Sequence, residues 1–250
     1  MAQLPRRIAV AFHGEFLRPP PRCSDFFALE MNVRSHLLAP LSDVSSIWTY
    51  VSTVSSGSNA TDARYLATLR PRAHRIWPRR MRVSYMAYID VLQLVLNDEP
   101  RRVDAVVLTR PDLHYAQPVT QMPIAWHKTN YLFREQGASQ WKMCNMTSDL
   151  FLVSPLAHIA PLLDAIRWSG ETPDFGVGGF CTAPGMVHFT YTLLAMAVGT
   201  ANINFLSTAF CGSTPHYNLQ EDWPECRRFV HLDRTCPGGG EHKQQRRTPS

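Results

Sequence analysis

VDAVVLTRPDLHY, residues 103–115, runs an apolar strand straight into a fixed cation, a rigid turn residue and a carboxylate. The unbroken run at residues 105–108 is what a strand looks like when helices cover both faces of its sheet. Arg110, Pro111 and Asp112 then end it within three positions. Charge placed at the edge of a buried sheet marks that edge as a candidate site.

Outward from this stretch the chain alternates strand and helix. RIAVAF, residues 7–12, is a short apolar run bounded by Pro5 and by His13-Gly14, and it reads as the first central strand ending in a turn. After the bend RPPPRC, Ser24 or Asp25 can cap a helix whose Phe26, Phe27, Leu29, Val33, Leu37 and Leu38 share one face until Pro40 stops it. SSIWTYVSTV (45–54) reads as a second strand, SSGSNATD (55–62) as a loop, and RVSYMAYIDVLQLVLNDEP (82–100) as a long amphipathic helix ending before Pro100. Beyond the strand at 103–112, residues 122–144 read as irregular and SDLFLVS (148–154) as a strand. A helix at 155–168, a glycine-rich loop at 170–185, a helix at 186–200 and a late strand in INFLST (203–208) complete the order. Such alternation predicts an α/β fold with a mostly parallel central sheet flanked by helices. We read one domain over residues 1–236 and a disordered tail at 237–250, where Gly, Lys, Gln, Arg and Pro dominate.

Composition sets further bounds. The chain has 250 residues, 45% of them hydrophobic, enough for one substantial core. Its net charge of +5 comes largely from arginine, in RPRAHRIWPRRMR (70–82) and in the last ten residues. Those patches favour anionic partners, a phosphate-bearing small molecule as readily as nucleic acid, or else are solvated arginines on a helix face or loop. No run of about 18 apolar residues encodes a membrane-spanning helix, and the apolar stretch at residues 8–12 is too short for a signal-peptide core. As written the chain reads as soluble. Six cysteines and the sequons at Asn59 and Asn145 also fit a secretory lumen. The spacing of Cys211, His216, Cys226, His231 and Cys236 matches no zinc finger or ribbon, so disulfides or buried thiols are preferred.

In open parallel sheets ligands bind outside the carboxyl ends of the strands. The first strand delivers His13, Gly14, Glu15 and Arg18 to that edge, the strand at 103–112 delivers Arg110, Asp112 and His114, and the segment before LFLVS delivers Asp149. Gly14 lets a backbone approach a ligand closely, Arg18 and Arg110 can hold phosphate oxygens in bidentate fashion, and Asp112 can coordinate a divalent cation. Each has a plainer alternative: Arg110 and Asp112 as an ion pair tying a turn, Asp149 as a turn acceptor, His13 as a core histidine and Gly14 as a turn glycine. No G-x-G-x-x-G and no G-x-x-x-x-G-K-[ST] is present, so neither a Rossmann dinucleotide site nor a P-loop is supported. FGVGGF (175–180) follows a helix and reads as a flexible loop or a lid.

The order AFHGEFLR, NVRSHLLAPL, SIWTYVST, LTRPDLHY and TSDLFLVSP resembles a group of glycosyltransferase-like proteins with a nucleotide-sugar-binding GT-A type fold, over roughly residues 7–205. The resemblance lies in order and spacing rather than in one diagnostic motif. It implies a nucleotide-sugar donor and a glycan or other hydroxyl acceptor. In better-known GT-A enzymes a D-x-D binds Mn2+ or Mg2+ and the diphosphate. Here Arg110-Pro111-Asp112 stands in its place, which leaves Asp112 as the candidate metal ligand and lets Arg110 neutralise pyrophosphate instead. Lumenal relatives usually carry an N-terminal anchor, whereas this first strand begins almost at once, so a Golgi or secretory lumen fits if an anchor has been removed.

Glycosyl transfer needs the departing diphosphate stabilised and the acceptor hydroxyl aligned with the anomeric carbon; an inverting enzyme also needs a base. Asp149 is the preferred base, ahead of the acidic pair Glu221-Asp222. Two rivals stand beside this reading. One is a catalytically inactive glycan- or nucleotide-binding module of the same fold. The other is a nucleic-acid binder using residues 70–82, which bring only His74 and Trp77 for stacking and no recognisable motif, so nucleic acid is not the expected partner.

Overall fold

The structure is a computed structural model that describes residues 4–15, 26–78, 84–98, 103–136, 146–148, 150–171, 190–207, 210–212 and 228–232. The first strand, β1 (Arg7–Glu15), lies centrally, and its alternation splits the interior in two. Ile8, Val10 and Phe12 point to one core with Leu37, Leu41, Val51 and Tyr65. Ala9 and Ala11 point to another with Tyr88, Val91, Leu92 and Ile166. The result is a sheet sandwiched between two helical layers, as the apolar run at 105–108 predicted.

After β1 come α1 (Phe26–Val33), a π-helical turn (Arg34–Leu38) and α2 (Ala39–Ser42). The expected stop at Pro40 does not occur. Pro40 falls at the start of α2, directly after the π-helical turn, and the helical path continues to Ser42. The strand β2 (Ser46–Val54) matches its prediction. The expected loop at 55–62 is shorter than read, because α3 (Asn59–Leu69) starts inside it. The Ser58 side chain accepts from the Thr61 N–H at 3.4 Å, and Arg70 ends the helix in the left-handed region at φ 45°. A polar sequence hid this helix; its caps were the signal.

The arginine-rich stretch also differs from its reading. It contains a strand, β3 (Ala73–Trp77), at the edge of the sheet. Arg75 pairs with Asp90 at 2.8 Å and lies over the Trp77 ring, while Arg72 pairs with Asp98. The helix α4 (Ser84–Asn97) and the strand β4 (Ala105–Thr109) follow as expected. Next come β5 (Leu113–Tyr115), β6 (Thr129–Tyr131), β7 (Arg134–Gln136), β8 (Met146–Thr147) and β9 (Phe151–Pro155). The remaining elements are α5 (Ile159–Glu171), α6 (Thr190–Val198), β10 (Ile203–Phe205), β11 (Phe210–Gly212) and β12 (Val230–Leu232).

The seven-stranded sheet has the order β10-β6-β9-β4-β1-β2-β3, with small sheets β11-β7-β8 and β12-β5 beside it. Strands β4, β1, β2 and β3 run parallel, and β10 runs parallel to β6. β9 is antiparallel to both of its neighbours. The region expected to be irregular contains β6 and β7, and the strand expected at 148–154 is the one that runs in reverse. Tyr131 faces Leu152, and Arg134 faces Thr147 farther along, so β6–β7 and β8–β9 form one ribbon that runs on past the carboxyl end of β4. Among the described residues no helix is long and apolar enough to cross a membrane.

Candidate active site

Strand order reverses between β1 and β4: the chain steps outward from β1 to β2 and β3, then crosses back to place β4 on the other side. In open parallel sheets ligands bind outside the carboxyl ends of the strands at such a switch point, which makes the ends of β1 and β4 the candidate site. β1 and β4 pair in register as far as Phe12 and Thr109, so the residues that follow each strand emerge side by side. They are Gly14 on one side and Arg110 to Asp112 on the other.

Gly14 takes φ 93°, a conformation that favours glycine. Its carbonyl accepts a hydrogen bond from the Thr53 hydroxyl at 2.7 Å. A Cβ built at Gly14 would lie 3.8 Å from Arg110 Cγ, an ordinary contact, so backbone conformation rather than space demands glycine there. Arg110 donates from Nε to Asp112 Oδ1 at 2.9 Å and from Nη2 to Asp112 Oδ2 at 2.7 Å. Both side chains are only 9% exposed, which makes this a buried bidentate pair.

The turn carrying the pair is tied at several points. The Thr109 and Tyr115 hydroxyls meet at 2.6 Å across its base. Asn32 of α1 is buried and grips Tyr115 twice: Oδ1 accepts from the Tyr115 N–H at 2.7 Å, and Nδ2 donates to the Tyr115 carbonyl at 3.0 Å. The same Nδ2 lies 3.2 Å from His114 Nε2. The Arg110 N–H donates to the Leu150 carbonyl at 3.2 Å, which joins the turn to the amino end of β9. Burial pushes the Tyr65 hydroxyl well above its ordinary pKa, and the neighbouring Tyr115 and Asp112 add to that. Burial likewise pushes Tyr115 up, against the opposing hydrogen bond from Thr109. Both phenols are therefore neutral over the ordinary pH range.

Of the residues singled out in sequence, the structure brings Gly14, Arg110 and Asp112 together. The plainer reading of Arg110 and Asp112 as an ion pair tying a turn is realised in geometry. His13 points the other way: it is 2% exposed and packs its ring 4.2 Å from that of Tyr88 under α4. Arg18, Asp149, the Glu221-Asp222 pair, the loop at 175–180 and the tail at 237–250 lie outside the described residues. So do Cys23, Cys144, Cys181, Cys226 and Cys236. The neighbours of Asp149 are placed: the Ser148 N–H donates to the Phe133 carbonyl, and the Ser148 hydroxyl accepts from the Leu150 N–H, both at 3.2 Å.

Sequence reasoning missed Asn32 and Thr53, the side chains that bond the Tyr115 backbone and the Gly14 carbonyl. Asn32 had a readable signal, a lone amide in the apolar segment FFALEMNV. The expectation of Mn2+ or Mg2+ on Asp112 meets a poor fit, since both carboxylate oxygens already accept from Arg110. Among the described residues no group of three His, Cys, Asp or Glu side chains is placed to hold a metal ion.

No family model matches the chain, and no curated protein matches it. Among solved structures, a nucleoside-diphosphate-sugar pyrophosphorylase from Vibrio cholerae RC9 is similar at a TM-score of 0.46 and 12% identity, over 82% of this chain and 92% of that one. The sheet order, not this likeness, defines the fold described above.

Proposed function

We propose that the chain binds a nucleotide sugar at the carboxyl ends of β1 and β4 and transfers the sugar to a hydroxyl acceptor. The observation that carries this reading is the convergence, at the switch point, of a glycine of positive φ with a buried, oriented guanidinium. Backbone that a ligand can approach closely, beside a fixed planar cation, suits a diphosphate. The mostly parallel sheet flanked by helices is the fold class that the resemblance of the sequence implied.

In this reading Gly14 and Arg110 face the diphosphate, and Arg18, four residues beyond Gly14, joins them. The acceptor oxygen attacks the anomeric carbon, and the bond from that carbon to the diphosphate oxygen breaks with its electron pair leaving on the diphosphate. In an inverting reaction the acceptor's proton passes to the Asp149 carboxylate. The ribbon supports a role for Asp149, because it fixes Ser148 and Leu150 on either side and bonds Leu150 to Arg110.

A second reading, a binding module without turnover, is favoured by the same ion pair, which commits the acid of the R-P-D turn to arginine. The two part on one experiment: incubation of the purified chain with UDP- and GDP-sugars and a panel of hydroxyl acceptors, reading nucleoside diphosphate release. Release that vanishes in Asp149→Asn supports transfer. Saturable binding of the sugar nucleotide with no release supports the module, and absence of both removes the nucleotide-sugar reading.

A further inference from the structure

We propose that the outer side of β3 is a docking edge for an extended acidic segment of a partner protein, which adds to the sheet as a further strand. Among the described strands β3 stands last in the order and is hydrogen-bonded to β2 alone. A terminal strand keeps backbone donors and acceptors on its outer side, and an added strand binds there through the main chain while alternate side chains supply selectivity. The edge is accessible: His74 and Arg75 are exposed, and Ala73, Ile76 and Trp77 are half-buried. Pro78, which has no N–H, follows Trp77, so the edge is the five residues of the strand.

Charge selects the occupant. No acidic residue stands between Asp62 and Asp90, and six arginines fall within residues 70–82. Arg75, the middle residue of β3, keeps its side chain 52% exposed while its Nη1 pairs with Asp90 of α4 at 2.8 Å. Its guanidinium lies 5.2 Å from the centre of the Trp77 ring, and that ring is fixed by a bond from its Nε1 to the Ser52 hydroxyl at 2.9 Å. The cation is thus held at the edge before any partner arrives, which lowers the entropy lost on binding. A second copy of this chain is the wrong occupant, because a twofold antiparallel pairing centred on the strand sets Arg75 against Arg75. An acid opposite Arg75 and an apolar residue two places along, beside Trp77, complement the edge.

The test titrates the whole chain with a short fluorescent peptide in which Glu alternates with Val, beside the same peptide N-methylated on alternate residues, and reads amide exchange at residues 73–77. The proposal expects saturable binding of the plain peptide by about 1 mM, slowed exchange at 73–77, and loss of binding on N-methylation, which blocks pairing and leaves charge intact. It also expects Arg75→Gln to weaken binding by about fivefold, the scale of one exposed ion pair. Melting curves establish that the variant is folded, and the N-methyl comparison uses the native chain and stands even where it is not. Equal binding of the two peptides, binding without protection at 73–77, or no binding overturns the proposal. Tighter binding of single-stranded polyuridylate than of the peptide assigns the arginines to nucleic acid and overturns it as well.

Discussion

Gly14 and Asn32 show how much a single side chain, or its absence, can decide. At φ 93° an alanine in place of Gly14 is strained although no atom stands closer than 3.8 Å, and Gly14→Ala should lower stability by about 1–2 kcal/mol. Urea denaturation with an unchanged m-value checks this; a neutral result would mean that the turn relaxes. Asn32→Ala strands two buried backbone groups of Tyr115 and should cost about 1–3 kcal/mol for each left unsatisfied. Because the break lies at the turn, amide exchange at residues 110–115 should accelerate in Asn32→Ala. In Asp104→Asn, which cuts an ion pair at the other end of β1, it should not. Equal acceleration in both variants would show only global loss of stability. Gly14, Arg110 and Asp112 were legible in sequence because a turn glycine and an apolar strand ending in charge are local patterns. Asn32 was not legible as their support, since its partner Tyr115 lies 83 residues away.

At the scale of elements, strongly periodic segments were readable and short or polar ones were not. β1, β2, α4 and β4 carry their own pattern of burial. α3 is polar and is held by its ends, and the ribbon strands β6 to β8 are two or three residues long and owe their conformation to partners. The start of α3 makes a pH prediction. Burial works to raise the Asp62 pKa, yet hydrogen bonds from the Ser55 hydroxyl at 2.6 Å and the Ser56 N–H at 2.9 Å outweigh it and hold the carboxyl below its ordinary value. A depressed acid contributes stability that is full above the unfolded pKa, about 4, and fades as pH falls through the folded one. Asp62→Asn should therefore flatten the acid limb of a melting-temperature profile while costing about 1 kcal/mol at neutral pH. His158, whose Nδ1 meets the Thr129 hydroxyl at 3.0 Å, behaves in the same direction for another reason: burial lowers its pKa. Stability from its neutral form is full above the unfolded value, about 6.5, and declines below it. His158→Gln should remove that decline between neutral and mildly acidic pH, which the same profile would reveal.

Across the whole molecule the sheet has a seam. Residues 7–109 contain β1 to β4 and complete a four-stranded parallel unit with helices on both faces. Among the described strands, β6, β9 and β10 are hydrogen-bonded to it through the antiparallel edge between β4 and β9. Native-state hydrogen exchange in low urea should therefore resolve two cooperative units, with amides of β6 and β10 opening before those of β1 and β2. One common opening energy across all seven strands would contradict this. The ribbon also sets an order of events during synthesis. A nascent chain released to about residue 109 has its parallel unit in hand but exposes the open flank of β4, a bare row of backbone donors and acceptors. That flank stays unsealed until some forty further residues have emerged and β9 has folded back over it. The interval before that closure is when this protein is most vulnerable to pairing with the wrong strand.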